Sequence, residues 1–327
     1  MKLAFIIDPI ENLDPSHDTS VAIMEAAYIL GHEIWITQAS ELSVVDSTAW
    51  AHLQRIEIIP VELVEGGYKV ANPWYNLSSD KINICLSTMD AVFMRTDPPV
   101  NDIYLYATYI LDYIDQSKTL VINSPKGIRD ANEKMYALQF TEAIPETIVT
   151  ADKHLIRQFV EAKGAAVLKP LGNKAGEGIL FLQPGDRNLN SIVELSTTRG
   201  KVPIMLQTFL PEAKQGDKRI ILLDGEPVGA LNRLSAPGEF RNNMAAGGTV
   251  AQTEITPRER EICTQLAKTL KKDGLIFVGI DVIGGYLTEV NVTSPTGIRE
   301  IDRFSNTSLG KKVIQWLEGA TTKNSTN

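Results

Sequence analysis

The chain has 327 residues, enough for about two domains at ~150 residues each, and its 43% apolar and 22% charged content is ordinary for a globular protein. Against 40 Asp+Glu stand 32 Lys+Arg, a net charge of −8. That balance argues against gripping nucleic acid through a basic face, while leaving room for local cationic pockets that take small anions.

Residues 3–8 (LAFIID) read as a buried strand whose apolar run stops at Asp8-Pro9, too early for a signal peptide. Asp18 or Thr19 can cap a helix carrying Val21, Met24 and Tyr28, and Gly31 ends it. Residues 33–37 (EIWIT) form the next strand, giving a β-α-β opening and a parallel sheet. Residues 53–71 read as an added hairpin turning at Gly66-Gly67. A strand at 91–95, a helix over 101–116 and a strand at 119–123 complete the first unit.

A helix over 130–140 follows, then a βαβ-like stretch: ETIVT, KHLIRQFVEAKG and AAVLKP. Beyond a Gly-rich loop (172–178) come the strand ILFLQ, a helix near 189–199 and the strand IMLQTFL. From 218 onward, Asp224-Gly225 and Gly284-Gly285 signal hairpins around a long helix at 257–272. The pattern predicts an α/β N-terminal domain followed by an α+β body, with a frayed tail from Ala320. Cys85 and Cys263 make no disulfide framework, and His17, His32, His52 and His154 have no zinc spacing. No apolar run approaches the ~18 residues of a membrane span. A reduced, cytoplasmic location is therefore expected, with the sequons at Asn76, Asn291 and Asn306 as chance matches.

Familiar chemistry is missing. No glycine lies between Asp8 and the first helix, so the dinucleotide fingerprint fails, and neither a P-loop nor Gly-x-Ser-x-Gly nor His-Glu-x-x-His occurs. The informative segment is 278–292 (VGIDVIGGYLTEVNV). Strand alternation sends Ile280, Val282, Val290 and Val292 to the core, and Asp281, Glu289 and Asn291 to the other face. A plain two-residue turn at Gly284-Gly285 puts Asp281 and Glu289 on opposite faces. A three-residue turn, or an equivalent bulge, sets them directly across from each other. Opposed carboxylates repel unless a hard cation such as Mg²⁺ or Mn²⁺ joins them; a solvated polar face is the other reading.

Lys169, in AAVLKP, either meets an anion from a buried strand or snorkels to the surface. The loop over 172–178, with Gly172, Gly176 and Gly178, can fold over a polyphosphate or serve as a long hairpin turn. Lys134 is a weaker signal. The strand end Gln207-Thr208-Phe209-Leu210 offers edge amides and an apolar wall to an adenine, or simply stops at Pro211. Lys218, Arg219, Arg233, Arg241 and Arg95 sit at strand ends, either as salt-bridge partners or as forks for an anionic substrate.

Together the segments MRTDPP (94–99), RDANEK (129–134), LKPL (168–171), GDKR (216–219), AAGG (245–248), GLIFVGIDVIG (274–284) and LTEVNVTSPTGIREI (287–301) resemble the ATP-grasp ligases, and more closely the bacterial-type glutathione synthetases. The resemblance runs to about residue 318. It implies the ATP-grasp fold, with an N-terminal parallel α/β (pre-ATP-grasp) domain over 1–123, a lid subdomain over 124–211, a C-terminal subdomain over 212–320 and a disordered tail over 321–327. It also implies that Lys134, Lys169 and the flap 172–178 hold ATP, and that Gln207–Leu210 line the adenine. Asp281, Glu289 and Asn291 would carry Mg²⁺ or Mn²⁺; Arg219, Arg233, Arg241 and Asn243 would surround the phosphates and the reacting carboxylate. Asp18, Arg95, Ser294 and Thr296 would lie near γ-glutamylcysteine. The flap departs from the family pattern in holding Asn173, Lys174 and Glu177. The implied reaction is ATP-dependent ligation of γ-glutamylcysteine to glycine by a homo-oligomeric enzyme with no nucleic-acid or membrane partner. Rival readings are another carboxylate–amine ligase of the same fold, a non-catalytic nucleotide-binding protein, and an α/β binding protein without ATP.

Overall fold

The computed structural model describes residues 1–174, 176–239, 241–242 and 247–324. Asn243 and part of AAGG lie outside the described residues.

The first sheet is built from β1 (Lys2–Ile6), β2 (Glu33–Thr37), β3 (Leu42–Val45), β4 (Thr48–Ile58), β7 (Tyr75–Cys85), β8 (Ala91–Met94) and β9 (Leu120–Ile122), with β5 (Glu62–Val64) and β6 (Gly67–Lys69) forming a separate small ribbon. Its order is β3-β4-β2-β1-β8-β9, with β7 also on β4. As the β-α-β opening predicts, β2, β1, β8 and β9 are parallel. Helix α1 (Thr19–Ile29) starts where the Asp18 carboxylate accepts from the Val21 N–H. Helices α2 (Asp102–Leu111) and α3 (Pro125–Asp130) follow.

Three expectations need correction here. The hairpin over 53–71 is larger: β4 pairs with β7, and the ribbon β5–β6 only decorates its far end. The helix over 130–140 is broken, because the Asn132 side-chain oxygen takes the backbone N–H groups of Lys134 and Met135 and leaves a 3₁₀ turn at Met135–Gln139. The helix over 101–116 stops at Leu111.

The middle sheet contains β10 (Thr147–Thr150), β11 (Ala166–Pro170), β12 (Leu180–Leu182) and β13 (Ile204–Thr208), with α4 (Lys153–Lys163) and α5 (Leu189–Ser196) packed on one face. Its order is β10-β13-β11-β12. The βαβ-like stretch is therefore split: β10 and β11 run the same way, but β13 lies between them, antiparallel to both. Gly164 closes α4 in the left-handed region, where a Cβ is costly.

The last sheet contains β14 (Asp217–Leu223), β15 (Glu226–Leu234), β16 (Thr249–Gln252), β17 (Phe277–Ile283) and β18 (Tyr286–Asn291), in the order β16-β15-β14-β17-β18, all antiparallel. Helix α6 (Pro257–Lys272) opens with a capping box between Thr256 and Glu259 and ends on Lys271 and Lys272, which suit its dipole. Helices α7 (Ile298–Ser305) and α8 (Leu309–Asn324) close the chain. Among the described residues of the tail expected to fray from Ala320, α8 continues through Asn324 and the Thr321 hydroxyl donates to the Leu317 carbonyl.

One apolar cluster joins Ile6, Val92 and Met94 of the first sheet to Tyr136 and to Ile220, Ile280 and Val290 of the last. Asn123, buried at the end of β9, fastens the same junction: its amide donates to the Phe277 and Val292 carbonyls and accepts from the Ile276 and Phe277 N–H groups. Cys263 sits in this cluster, and burial pushes its thiol up to about 12. Because the thiolate is the reacting species, alkylation of the native protein is expected to leave Cys263 unmodified and to label it only after denaturant is added, as read by peptide mass.

Candidate functional site

A cleft of about 850 Å³, counting its solvent-filled mouth, is walled by the middle and last sheets. Alternation along β11 builds one wall: Ala166 and Leu168 pack into the apolar layer under α4 and α5, while Val167 and Lys169 face the cleft. The register sets Gln207 opposite Val167, so Gln207 shares that face and its side-chain oxygen accepts from Lys169 Nζ at 2.6 Å. Val167, Ile179, Phe209, Leu210 and Ile283 supply an apolar slot, and Phe181 meets the Phe209 ring edge-on at 5.0 Å. Burial lowers the Lys169 pKa, with Glu289, Asp217 and Asp281 acting against it. An ammonium sharing a cleft with an apolar slot is suited to a phosphate attached to an aromatic base.

The opposite wall is a row of charges across three strands. Arg219 on β14 stands opposite Asp281 on β17, which stands opposite Glu289 on β18. The turn at Gly284-Gly285 has two residues, since Ile283 pairs with Tyr286; a bulge between Asp281 and Val282 then restores the facing carboxylates. Of the two devices the alternation permits, the bulge is the one used. Arg219 grips Asp281 with Nε on Oδ1 at 2.5 Å and Nη2 on Oδ2 at 3.1 Å, and Arg233 Nη2 lies 2.9 Å from the same Oδ2 and 2.6 Å from Asp217. Burial pushes the Asp281 carboxyl up, but the two guanidinium groups outweigh it and hold the group ionised, well below the usual carboxylate range. Asn291 donates to Asp281 Oδ2 at 3.3 Å, and Lys134 Nζ is 3.0 Å from Glu289 Oε1. Gly279 makes this packing possible: a Cβ there would sit 2.9 Å from Pro295 and 3.1 Å from the Arg219 stem.

The flap after β11 lies over the cleft. Lys134 Nζ donates to the Asn173 carbonyl at 2.7 Å and Arg241 Nη1 to the Gly176 carbonyl at 3.1 Å. Gly176 lines the cleft; Gly172 and Gly178 belong to the same loop without lining it.

The residues expected near γ-glutamylcysteine form an adjoining cluster. Arg95, buried on the sheet end after β8, donates to Ser20 Oγ and to the Pro295 carbonyl, each at 3.0 Å, and its Nη1 has no partner among the described residues. Asp18, the cap of α1, is pushed up by burial, with Arg95 acting against it. Ser294 and Thr296 are half-buried, and the Thr296 carbonyl accepts from Arg219. The structure thus joins the loop 294–296 to both Arg95 and Arg219. It keeps Asp18, Arg95, Ser294 and Thr296 out of the cleft lining, and Arg219 and Arg233 stand behind Asp281. Lys218 points the other way, to Glu259 on α6, as alternation next to Arg219 requires.

Several participants escaped the sequence reading. Asp217 lines the cleft two residues before Arg219, so alternation along GDKR was its available signal. Glu133 is half-buried, and its Oε1 accepts from the N–H groups of Val292 and Thr293 and from the Thr293 hydroxyl, tying the segment of Lys134 to the strand of Glu289. Burial raises its pKa and Glu289 adds to the rise. Asn242, which lines the cleft, and Thr288, the extra residue of the bulge, had no local signal.

Comparisons with known proteins agree with this geometry. Family models match in tandem: prokaryotic glutathione synthetase, N-terminal domain, over residues 1–129, and its ATP-grasp domain over 133–306. A glutathione synthetase of Nostoc sp. (strain PCC 7120 / SAG 25.82 / UTEX 2576) is 75% identical over 318 residues, 97% of this chain and 98% of that protein. One from Synechocystis sp. (strain ATCC 27184 / PCC 6803 / Kazusa) is 64% identical, covering 97% and 99%. The solved structure of the ATP-grasp ligase PsnB with a phosphomimetic variant of its minimal precursor, Mg and ADP superposes with a TM-score of 0.63 at 17% identity, covering 98% of each chain. D-cycloserine synthetase DcsG gives 0.62 at 15% identity, covering 96% and 100%; these two likenesses speak for the fold. The paired carboxylates, the cleft lysines under a flap and the full-length relatives lead to one assignment: the chain belongs to the prokaryotic glutathione synthetase family, ATP-dependent ligases built on the ATP-grasp fold.

Proposed function

We infer that the cleft binds ATP and that the cluster beside it presents γ-glutamylcysteine, so that the enzyme makes glutathione by joining the dipeptide to glycine. The observation that carries the inference is the facing of Asp281 and Glu289 in a cleft also lined by the buried Lys134 and the half-buried Lys169, in a chain 75% identical to a glutathione synthetase. The apolar slot between Val167, Phe209 and Leu210 takes the adenine, and Lys134 and Lys169 take phosphates. The C-terminal carboxylate of the dipeptide attacks the γ-phosphorus and ADP leaves, giving an acyl phosphate. The amine of glycine then attacks the acyl carbon and phosphate leaves. No side-chain nucleophile is needed; the work is positioning and charge neutralisation.

The donor set fits a hard divalent cation: two carboxylates and an amide, all oxygen donors, with Asp281 kept ionised by its arginines. Asp281, Glu289 and Asn291 would hold Mg²⁺ or Mn²⁺, and the ion would supply neutralisation of the transferring phosphoryl charge. Arg219 and Arg233 orient Asp281 from behind. The flap excludes water from the acyl phosphate. The substrates are small molecules, ATP and the dipeptide anionic and glycine zwitterionic. Among the described residues no helix is long and apolar enough to cross a membrane, and a cytoplasmic setting is part of the same reading. Assembly with further copies of this chain is part of the same reading, supported by the exposed face of α2, where Ile103, Tyr106 and Tyr109 lie open.

The test is a coupled assay. ADP release is expected only with γ-glutamylcysteine, glycine and Mg²⁺ all present; equal turnover with D-alanine alone, or none with any dipeptide, rejects the substrate assignment. In the same assay Glu289→Gln is expected to lower kcat by about 10²-fold while the thermal midpoint stays near wild type. Wild-type rates in that variant at limiting Mg²⁺ count against Glu289 as a ligand.

A further inference from the structure

We propose that Lys174 and Asp97 form a latch between the flap and the loop after β8 that holds the flap shut during the life of the acyl phosphate, a role that rests on the ligase reaction inferred above. Lys174 stands on the flap, and Asp97 stands two residues beyond Arg95 on the loop after β8. Their charged atoms are 3.0 Å apart although the residues lie 77 positions apart in the chain. Asp97 is anchored at the end of the first sheet, where its backbone N–H donates to Asp8 Oδ2. The pair therefore ties the flap to the loop that carries Arg95.

The other tethers explain why such a pair is useful. Lys134 and Arg241 hold the flap through the carbonyls of Asn173 and Gly176. Lys134 is a cation the reaction assigns to phosphate, and Arg241 lines the same cleft. A triphosphate competes for both and loosens the flap at the moment when water must be kept out. The Lys174–Asp97 pair involves neither cation, so it survives nucleotide binding. Its strength suits the task. Both side chains are almost half exposed, 42% and 49%, so the pair is weak, screened by salt, and can open at every turnover. This also gives a use to the lysine that sets this flap apart from a glycine-richer one.

The experiment measures ADP formed per glutathione in full-length enzyme, comparing wild type, Lys174→Gln and Lys174→Arg at saturating substrates. Wild type at low salt is expected to stay near one ADP per glutathione. Lys174→Gln is expected to raise the excess ADP roughly two- to five-fold, the scale of an exposed ion pair, whereas Lys174→Arg keeps wild-type coupling. Raising salt to about 0.5 M, where the Debye length falls below ~5 Å, should move wild type toward Lys174→Gln. A Lys174→Gln enzyme as tightly coupled as wild type overturns the latch and leaves the ligase reading intact. A wild type that makes ADP but no glutathione overturns both.

Discussion

Lys169→Met is expected to lower kcat/KM for ATP by about 10²–10³-fold while leaving the thermal midpoint equal to or above that of wild type. Methionine fills the space of the lysine stem but carries no charge. Phosphate binding loses an ammonium already dehydrated and aimed into the cleft, where a charge-assisted contact is worth most. The fold loses little. Burial already depresses the Lys169 pKa, so its charged form is a strain on the folded state that Glu289, Asp217 and Asp281 only partly relieve. Gln207 forfeits its contact with Nζ but keeps its bond to the Thr147 hydroxyl. Calorimetric ATP titration and thermal unfolding of the same preparation check both halves. Unchanged ATP affinity would remove Lys169 from the phosphate site.

Asp281→Asn is expected to fail in the opposite manner, costing stability as well as activity. Asp281 is the shared anion of Arg219 and Arg233, all three buried. Without its charge the two guanidiniums are left, among the described residues, with the half-buried Asp217 as counter-ion, and breaking a buried network from one side costs about 3–5 kcal/mol. The pH dependence follows from the same pairing. The folded carboxyl lies below its unfolded value near 4, so its contribution is fully present above that pH and is lost as pH falls toward the folded value. Denaturant midpoints measured from about pH 3 to 7 should therefore fall steeply at the acid end for wild type and less steeply for Asp281→Asn. An acid limb of the same slope in both proteins would show that another carboxylate governs it.

These two residues also show how legible the site was. Both stood out in the sequence because each broke a local pattern, an ammonium or a carboxylate set among β-forming apolar residues. Strand alternation was sufficient to put Lys169 with Val167 and to oppose Asp281 to Glu289, because side-chain direction repeats every two residues whatever lies around the strand. It allowed either of two devices at Gly284-Gly285, and the bulge at Thr288 was chosen by packing that alternation does not contain. The helix over 130–140 failed for a related reason: the Asn132 side chain competes with the backbone for the N–H groups that a helix would use.

By itself, then, the order of residues determined the α/β opening, the hairpin-rich body, the start of the first helix at Asp18 or Thr19, and which side chains carry charge into buried strands. These depend on neighbours within a few positions, where propensity, capping and alternation act directly. Tertiary structure decided the placement of β13 between β10 and β11, the retreat of Arg219 and Arg233 behind Asp281, the service of Glu133 to the strand of Glu289, and the meeting of Lys174 with Asp97. Each of those joins residues tens to more than a hundred positions apart. A contact of that kind is chosen by which surfaces pack together and which buried charges find partners, and short-range pattern carries no record of either.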